Sequence, residues 1–297
     1  MNILGSILNV FRGACMAVAD SVPGVSGGTI AFILGFYDKF INSVHDFLMG
    51  SWDERKKAFP FLFFLAIGWV CAFLICSVII SKLFDEHIYE ISSMFIGLTL
   101  FAIPIVIYEE KACLKGKYLN LLFTVIGAIL VPLIVILGSS AGVTEVNLAQ
   151  ITIGLVVFLF VSAIVAICAM VLPGISGSTI LLIMGIYVPM ISAVSSLAHL
   201  DFTYLPALII FGLGMIAGFF VASKVIKKCL ERFRSQTIYL VLGLLVGSVY
   251  AIVMGTKSVG AEAMNFTTFS ILFFIIGGVV ILGLQFVKMR MEKRAGN

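Results

Sequence analysis

One stretch of this sequence is written twice. The segment SVPGVSGGTIAFILGFYDKFINSV, starting at Ser21, returns as VLPGISGSTILLIMGIYVPMISAV, starting at Val171. At a constant offset of 150 the copies share Pro23/Pro173, Gly24/Gly174, Ser26/Ser176, Gly27/Gly177, Thr29/Thr179, Ile30/Ile180, Gly35/Gly185 and Tyr37/Tyr187. Downstream, Gly68/Gly214, Ser77/Ser223, Lys82/Lys228 and Gly97/Gly243 continue the match at an offset of 146. The expected organisation is one domain, residues 1–297, built from two halves of about 1–140 and 146–290.

Composition decides the solvent. Of the 297 residues, 61% are hydrophobic and 11% charged, with a mean hydropathy of +1.19. A soluble domain carries about 25% charged residues, so this chain lacks the polar surface to coat a globule in water. It reads as an all-α polytopic membrane protein. The same numbers exclude a disordered chain, a disulfide-stapled scaffold and a reader of nucleic acid. The six cysteines form no C-x-x-C pair and the three histidines show no ligand spacing, so neither a metal nor a cofactor is expected. Ala17-Val18-Ala19 imitates a leader cleavage site, but no basic region precedes it and Arg12 interrupts the apolar stretch. These residues are therefore expected to stay as structure.

Six stretches are apolar enough to cross roughly 30 Å of hydrocarbon: 60–81, 91–108, 118–137, 202–223, 237–256 and 266–287. Two further apolar regions, 3–48 and 146–200, are each broken by a Pro-Gly step. Each half thus holds a broken helix pair, spanning or re-entrant, followed by three spans. Either choice gives an odd number of crossings, so the second half is expected upside down relative to the first, as in inverted-repeat transporters. With the N-terminus inside, the inner loops hold 16 of the 19 Lys and Arg, and the outer loops only Lys82 and Lys257. That bias predicts cytoplasmic N- and C-termini.

A helix approaching proline tends to stop just before it, and the Gly and Ser that follow permit a tight turn and a new N-cap. Pro23-Gly24 and Pro173-Gly174 are therefore read as helix breaks, with new helices starting near Ser26 and Ser176. Free N–H groups at mid-membrane must meet a polar cavity or a ligand. Two such ends would supply roughly one positive charge between them. Ser26, Gly27, Gly28, Thr29, Ser176, Gly177, Ser178 and Thr179 would offer amides and hydroxyls to an anion, and Arg12 a full charge. A phosphate monoester, at −1 to −2, matches that set. Packing-only kinks are the competing reading, and the duplication speaks against them.

Arg12 and Asp20 align with Ser162 and Met170, so the second half lacks both charges. Ionisable residues inside apolar segments are functional candidates. Arg12 is read as an anion contact and Asp20 as a coupling or gating carboxylate. The alternative has Arg12 reaching to the inner surface and Asp20 capping the helix after Pro23. Tyr37 and Tyr187 either line the cavity or anchor at the interface.

RGACMAVADSVPGVSGGTIAFILGFYDKFI and AMVLPGISGSTILLIMGIYVPMISAV resemble the two signatures of the bacterial polyprenyl-phosphate transporters, and the resemblance covers nearly the whole chain. It implies a non-enzymatic translocase in the bacterial cytoplasmic membrane. The implied substrate is undecaprenyl phosphate, the lipid carrier of peptidoglycan synthesis, returned from the outer to the cytoplasmic leaflet. Membrane lipids are the other expected partners; proton or sodium coupling and a homo-oligomer stay open. Polyprenyl-diphosphate phosphatases are the enzymatic rival, but they bring glutamates and an arginine into their motifs. Here Gly27 and Gly177 follow the Pro-Gly-x-Ser, and no glutamate flanks either copy. A carrier of small soluble anions or an ion channel is the second rival, and a binding-only or scaffolding membrane protein is the remaining alternative.

Overall fold

The computed structural model describes residues 3–20, 26–140, 148, 151–198, 200–259 and 261–295, and among them the chain is helical throughout, without a strand. Pro23, Gly24 and the side chain of Thr179 lie outside the described residues. The first half runs α1 (Ile3–Asp20), α2 (Gly27–Ile33), α3 (Tyr37–Met49), α4 (Trp52–Glu109), the one-turn α5 (Lys111–Leu114) and α6 (Leu121–Ser140). The second runs α7 (Ile153–Val171), α8 (Gly177–Ile183), α9 (Tyr187–Ala198), α10 (Leu205–Arg232), α11 (Arg234–Gly255) and α12 (Ile271–Ala295).

Six helices among the described residues are long and apolar enough to cross a membrane: Trp52–Phe73, His87–Glu109, Tyr118–Ile136, Ile153–Val171, Leu205–Arg232 and Arg234–Gly255. Two differences from the sequence expectation stand out. The span expected from residue 60 begins at Trp52, because Ser51 and Glu54 close a capping box that starts the helix in its charged turn. No loop separates it from the next span: within α4 two helices meet at a kink at His87 (φ −132°, ψ 30°), and the second runs to Glu109. Ile153–Val171 also stands as a span of its own, capped by Thr152, whose hydroxyl accepts from Leu155 N–H at 3.2 Å. At the chain's end the expected 266–287 becomes α12, whose apolar part is Ile271–Gly283.

The broken pairs contain pieces too short to cross alone. Helices α2 and α8 have seven residues each, about 10 Å of rise. Both end in the same left-handed glycine turn, at Gly35 (φ 68°) and Gly185 (φ 70°). There Phe36 N–H bonds Ala31 O at 3.0 Å, and Ile186 N–H bonds Leu181 O at 3.0 Å, a Schellman closure made twice. Leu172, just before Pro173, sits at ψ 130°, the extended geometry that proline imposes on its predecessor.

The offsets of the sequence repeat return as helix crossings. Gly68 of α4 lies against Val10 O of α1, and Gly214 of α10 against Phe160 O of α7. Gly97 of α4 lies against Phe274 O of α12, and Gly243 of α11 against Thr124 O of α6. Gly277 faces Met94 O and Leu98 N, while Gly127 faces Leu240 O and Leu244 N. Within each pair the two residues differ by 146 or 150 positions on both sides of the contact. Helices α6 and α12 thus pack across the halves, α6 on α11 and α12 on the second part of α4. Small residues allow the close approach that membrane helices use in place of hydrophobic sorting.

Polar contacts gather at two ends of the bundle. At one, Arg234 grips Glu110 with two nitrogens (3.0 and 2.5 Å) and Asp38 with a third (2.7 Å). Nearby segments add Lys227 to Asp46 at 3.2 Å and Gln285 to Glu109 at 2.7 Å. At the other end Tyr89 bonds Glu262 O at 3.2 Å and Ser93 accepts from Ser270 N–H at 3.0 Å. The first group joins the segments that the basic residues assign to a common side.

Candidate functional site

The two Pro-Gly-Ser motifs meet directly. Ser26 caps α2, its Oγ accepting from Thr29 N–H at 3.4 Å, and donates its own proton to Met170 O at 3.1 Å. Thr29 Oγ1 accepts from Gly174 N–H at 2.8 Å, and Tyr37 O–H donates to Val171 O at 3.1 Å. All three side chains are buried. The C-terminal end of α7 and the turn after it therefore lie across α2, tied by three side chains of the first copy to backbone of the second. Gly28 is the point of closest approach: a Cβ there would stand 2.6 Å from Val171 O and 3.0 Å from Met170 O. Gly174, at φ 91°, lies equally close to Leu244 O of α11, where neither a Cβ nor another backbone conformation fits.

The tip of α2 is held by the protein's own carboxylate. Asp20 Oδ1 accepts from Gly27 N–H at 2.6 Å, and Oδ2 accepts from the Trp69 indole N–H at 2.8 Å. The capping reading of Asp20 is thus realised in this conformation, with an anion at the helix start. Trp69 is held in turn by stacking on Phe73, ring centroids 4.8 Å apart. In the second copy Met170 aligns with Asp20, so that position offers no carboxylate. Ser176 and Ser178 there bond one another at 2.8 Å, and Gly177 lies against Ala166 O and Met170 Cβ.

Arg12 is not brought to this seam. It bonds Asn9 Oδ1 at 3.1 Å and sits 4.9 Å over the ring of Phe36, beyond the far end of α2 from Gly27. Asp20 at Gly27 and Arg12 at Phe36 show α2 returning antiparallel along α1. Tyr37 borders a space of about 110 Å³ at the charged cluster, together with Phe32, Gly35, Asp38, Val106, Glu109, Glu110 and Arg234. Tyr187 is half-buried at the start of α9.

Sequence reasoning missed Trp69 and the Arg234–Glu110–Asp38 cluster. A signal for the first existed: Asp20 in a charge-poor segment needs N–H donors, and Trp69 is the one of the two tryptophans that lies inside an expected span. The cluster had none, because Arg234 lies more than a hundred residues from both Glu110 and Asp38.

The two motif copies thus meet in one buried seam of hydroxyls and amides, and known proteins share this chain's sequence over that seam and beyond it. Residues 16–270 match the family described as VCA0040-like, undecaprenyl phosphate translocase-like. The chain belongs to this family. A polyprenyl-phosphate transporter of Staphylococcus aureus (strain NCTC 8325 / PS 47) is 33% identical over 280 residues, 93% of this chain and 95% of that protein. A polyprenyl-phosphate transporter of Vibrio cholerae serotype O1 (strain ATCC 39315 / El Tor Inaba N16961) is 33% identical over 259 residues, 84% and 77% of the two chains. No solved structure matches the chain. Family membership and these relatives support a multi-pass membrane protein with a role in polyprenyl-phosphate transport.

Proposed function

We propose that the protein is a translocase without hydrolytic activity that carries undecaprenyl phosphate from the outer to the cytoplasmic leaflet of the bacterial inner membrane, returning the carrier for peptidoglycan synthesis. Its two halves form one membrane domain, are oppositely oriented, present re-entrant helix tips to a shared headgroup path, and leave both termini in the cytoplasm. Dragging a bare phosphate through hydrocarbon costs many kcal/mol. The headgroup instead passes along the seam between the motifs, using the amides of Gly27, Gly28 and Gly177 with the hydroxyls of Ser26, Thr29, Ser176, Ser178 and Thr179. The apolar tail stays in lipid.

The observation that carries this reading is the direct hydrogen bonding of one motif to the other, Ser26 to Met170 and Thr29 to Gly174. A headgroup entering there must part these bonds, so loading and rearrangement of the two halves are one event. Asp20 gates the first tip. A phosphate oxygen and the Asp20 carboxylate compete for Gly27 N–H, and protonating Asp20 weakens its hold and favours the phosphate. Arg12 attracts the headgroup from the other end of α2.

The test is leaflet-resolved transport of undecaprenyl phosphate by purified protein in liposomes. Native protein is expected to move the lipid, and Ser26→Phe, Ser176→Phe and Arg12→Ala to reduce transfer to background. Unchanged transport by all three variants would overturn the assigned site. Release of inorganic phosphate from the diphosphate lipid would turn the reading to a phosphatase.

A further inference from the structure

Arg12 of α1 and Lys39 of α3 both lie against aromatic rings near the elbow that joins α2 to α3. Arg12 Cζ lies 4.9 Å over the ring of Phe36, and Lys39, one turn further along the chain, places Nζ 4.7 Å over the ring of Phe61. Phe61 is one turn from Leu65 on α4, whose carbonyl meets Gly13, the residue after Arg12. Both cations therefore stand on the same side of the elbow that joins α2 to α3, held laterally by aromatic faces.

Among the described residues no carboxylate lies within 4.0 Å of Arg12 or Lys39, whereas Lys227 and Arg234 at the same end of the bundle are both paired. The nearest carboxylate in sequence, Asp38, is taken by Arg234 at 2.7 Å. Partial burial, and then the charge of Arg12, push the Lys39 ammonium below its ordinary value. Two like charges with no carboxylate partner among the described residues repel one another, and an anion with two charges relieves both. The repeat-related positions are Ser162 and Pro189, so the arrangement exists at one end of the molecule only.

We propose that Arg12 and Lys39 form a separate two-cation station for a lipid-borne phosphate monoester, at the α2–α3 elbow and apart from the Ser26–Gly28 seam. The ligand's identity as the transported lipid rests on the function proposed above; the station itself rests on the two cations. Arg12 presents its fork to two phosphate oxygens and Lys39 supplies a point charge to the third. Lys39 is exposed, so an anion can approach it from outside the bundle. Eight residues of α1, about 12 Å of rise, separate Arg12 from the Asp20 gate, so a headgroup released from the seam reaches this station next.

The test is lipid binding to the full-length protein in nanodiscs, read by native mass spectrometry. Phosphatidic acid serves as the monoester probe, phosphatidylglycerol as the diester control and inorganic phosphate as the free competitor. Lys39→Gln is expected to weaken phosphatidic acid binding about tenfold, the loss of one charge-assisted contact, and to leave phosphatidylglycerol unchanged. Lys39→Arg restores the binding. Equal losses for the two lipids, or none, would overturn the station. Displacement by millimolar inorganic phosphate would overturn the assignment to a lipid. Absent transport in native protein that still prefers phosphatidic acid would sink the proposed function and leave the station standing.

Discussion

Replacing Gly28 by valine is expected to abolish polyprenyl-phosphate transport and to lower the thermal stability of the purified protein. A Cβ at this position would stand 2.6 Å from Val171 O and 3.0 Å from Met170 O, and both are backbone atoms that no rotamer change can move. Valine adds two methyl groups to that clash. The α7 end must withdraw, and the bonds from Ser26 to Met170 O and from Thr29 to Gly174 N–H go with it. Overpacking of this kind costs about 1–3 kcal/mol, enough for a fall of several degrees in the unfolding midpoint in detergent. Gly212→Ala is the control, because nothing lies within 4 Å of the added carbon. Wild-type stability and transport in Gly28→Val would show that the two motifs do not depend on close contact.

Asp20 carries the second large effect, and its variants separate structure from coupling. Asp20→Ala leaves Gly27 N–H and the Trp69 indole N–H without their acceptor, at about 1–3 kcal/mol for each orphaned donor. Marked destabilisation is expected, seen as an earlier unfolding transition. Asp20→Asn keeps one carbonyl oxygen and so retains one of the two bonds, while removing the negative charge from the helix start. Protonation of the native carboxylate loosens its bond to Gly27, so transport is expected to rise as the pH falls through the titration of Asp20. In Asp20→Asn that dependence should vanish. Transport rates measured against pH and sodium decide the matter: full ion dependence in the asparagine variant would remove Asp20 from the coupling role.

The repeat was legible because sequence identity and packing obey the same offsets. Gly68 and Gly214, matched from sequence alone, occupy equivalent crossings on Val10 and Phe160. Gly97 and Gly243 do the same on Phe274 and Thr124. The start of α4 was not legible from hydropathy, since Asp53, Glu54, Arg55, Lys56 and Lys57 read as a loop. The Ser51–Glu54 capping box was the sequence signal that marks that turn as helix. Missing too was the junction within α4, where hydropathy falls and two helices meet at a kink at His87 without an intervening loop.

At the site, residue types were legible and partners were not. Ser26 and Thr29 were expected to face an anion, yet in this conformation they hold the opposite motif. Asp20 was expected either to couple or to cap, and it caps with Trp69 as a second donor forty-nine residues away. Arg12 was grouped with the helix tip by its charge, while the antiparallel return of α2 sets it at the other end. Spacing along a chain fixes which face of one helix a residue occupies. It says nothing of which distant backbone will be laid against that face.

The most direct measurement is labelling by an undecaprenyl phosphate analogue that carries a photoreactive group next to its phosphate. Irradiated with native protein in liposomes, the analogue is expected to mark peptides covering residues 20–29 and 170–179, with competition by unlabelled undecaprenyl phosphate. Labels confined to the lipid-facing surfaces of α6 and α12, with both motifs unmarked, would contradict a headgroup path between them.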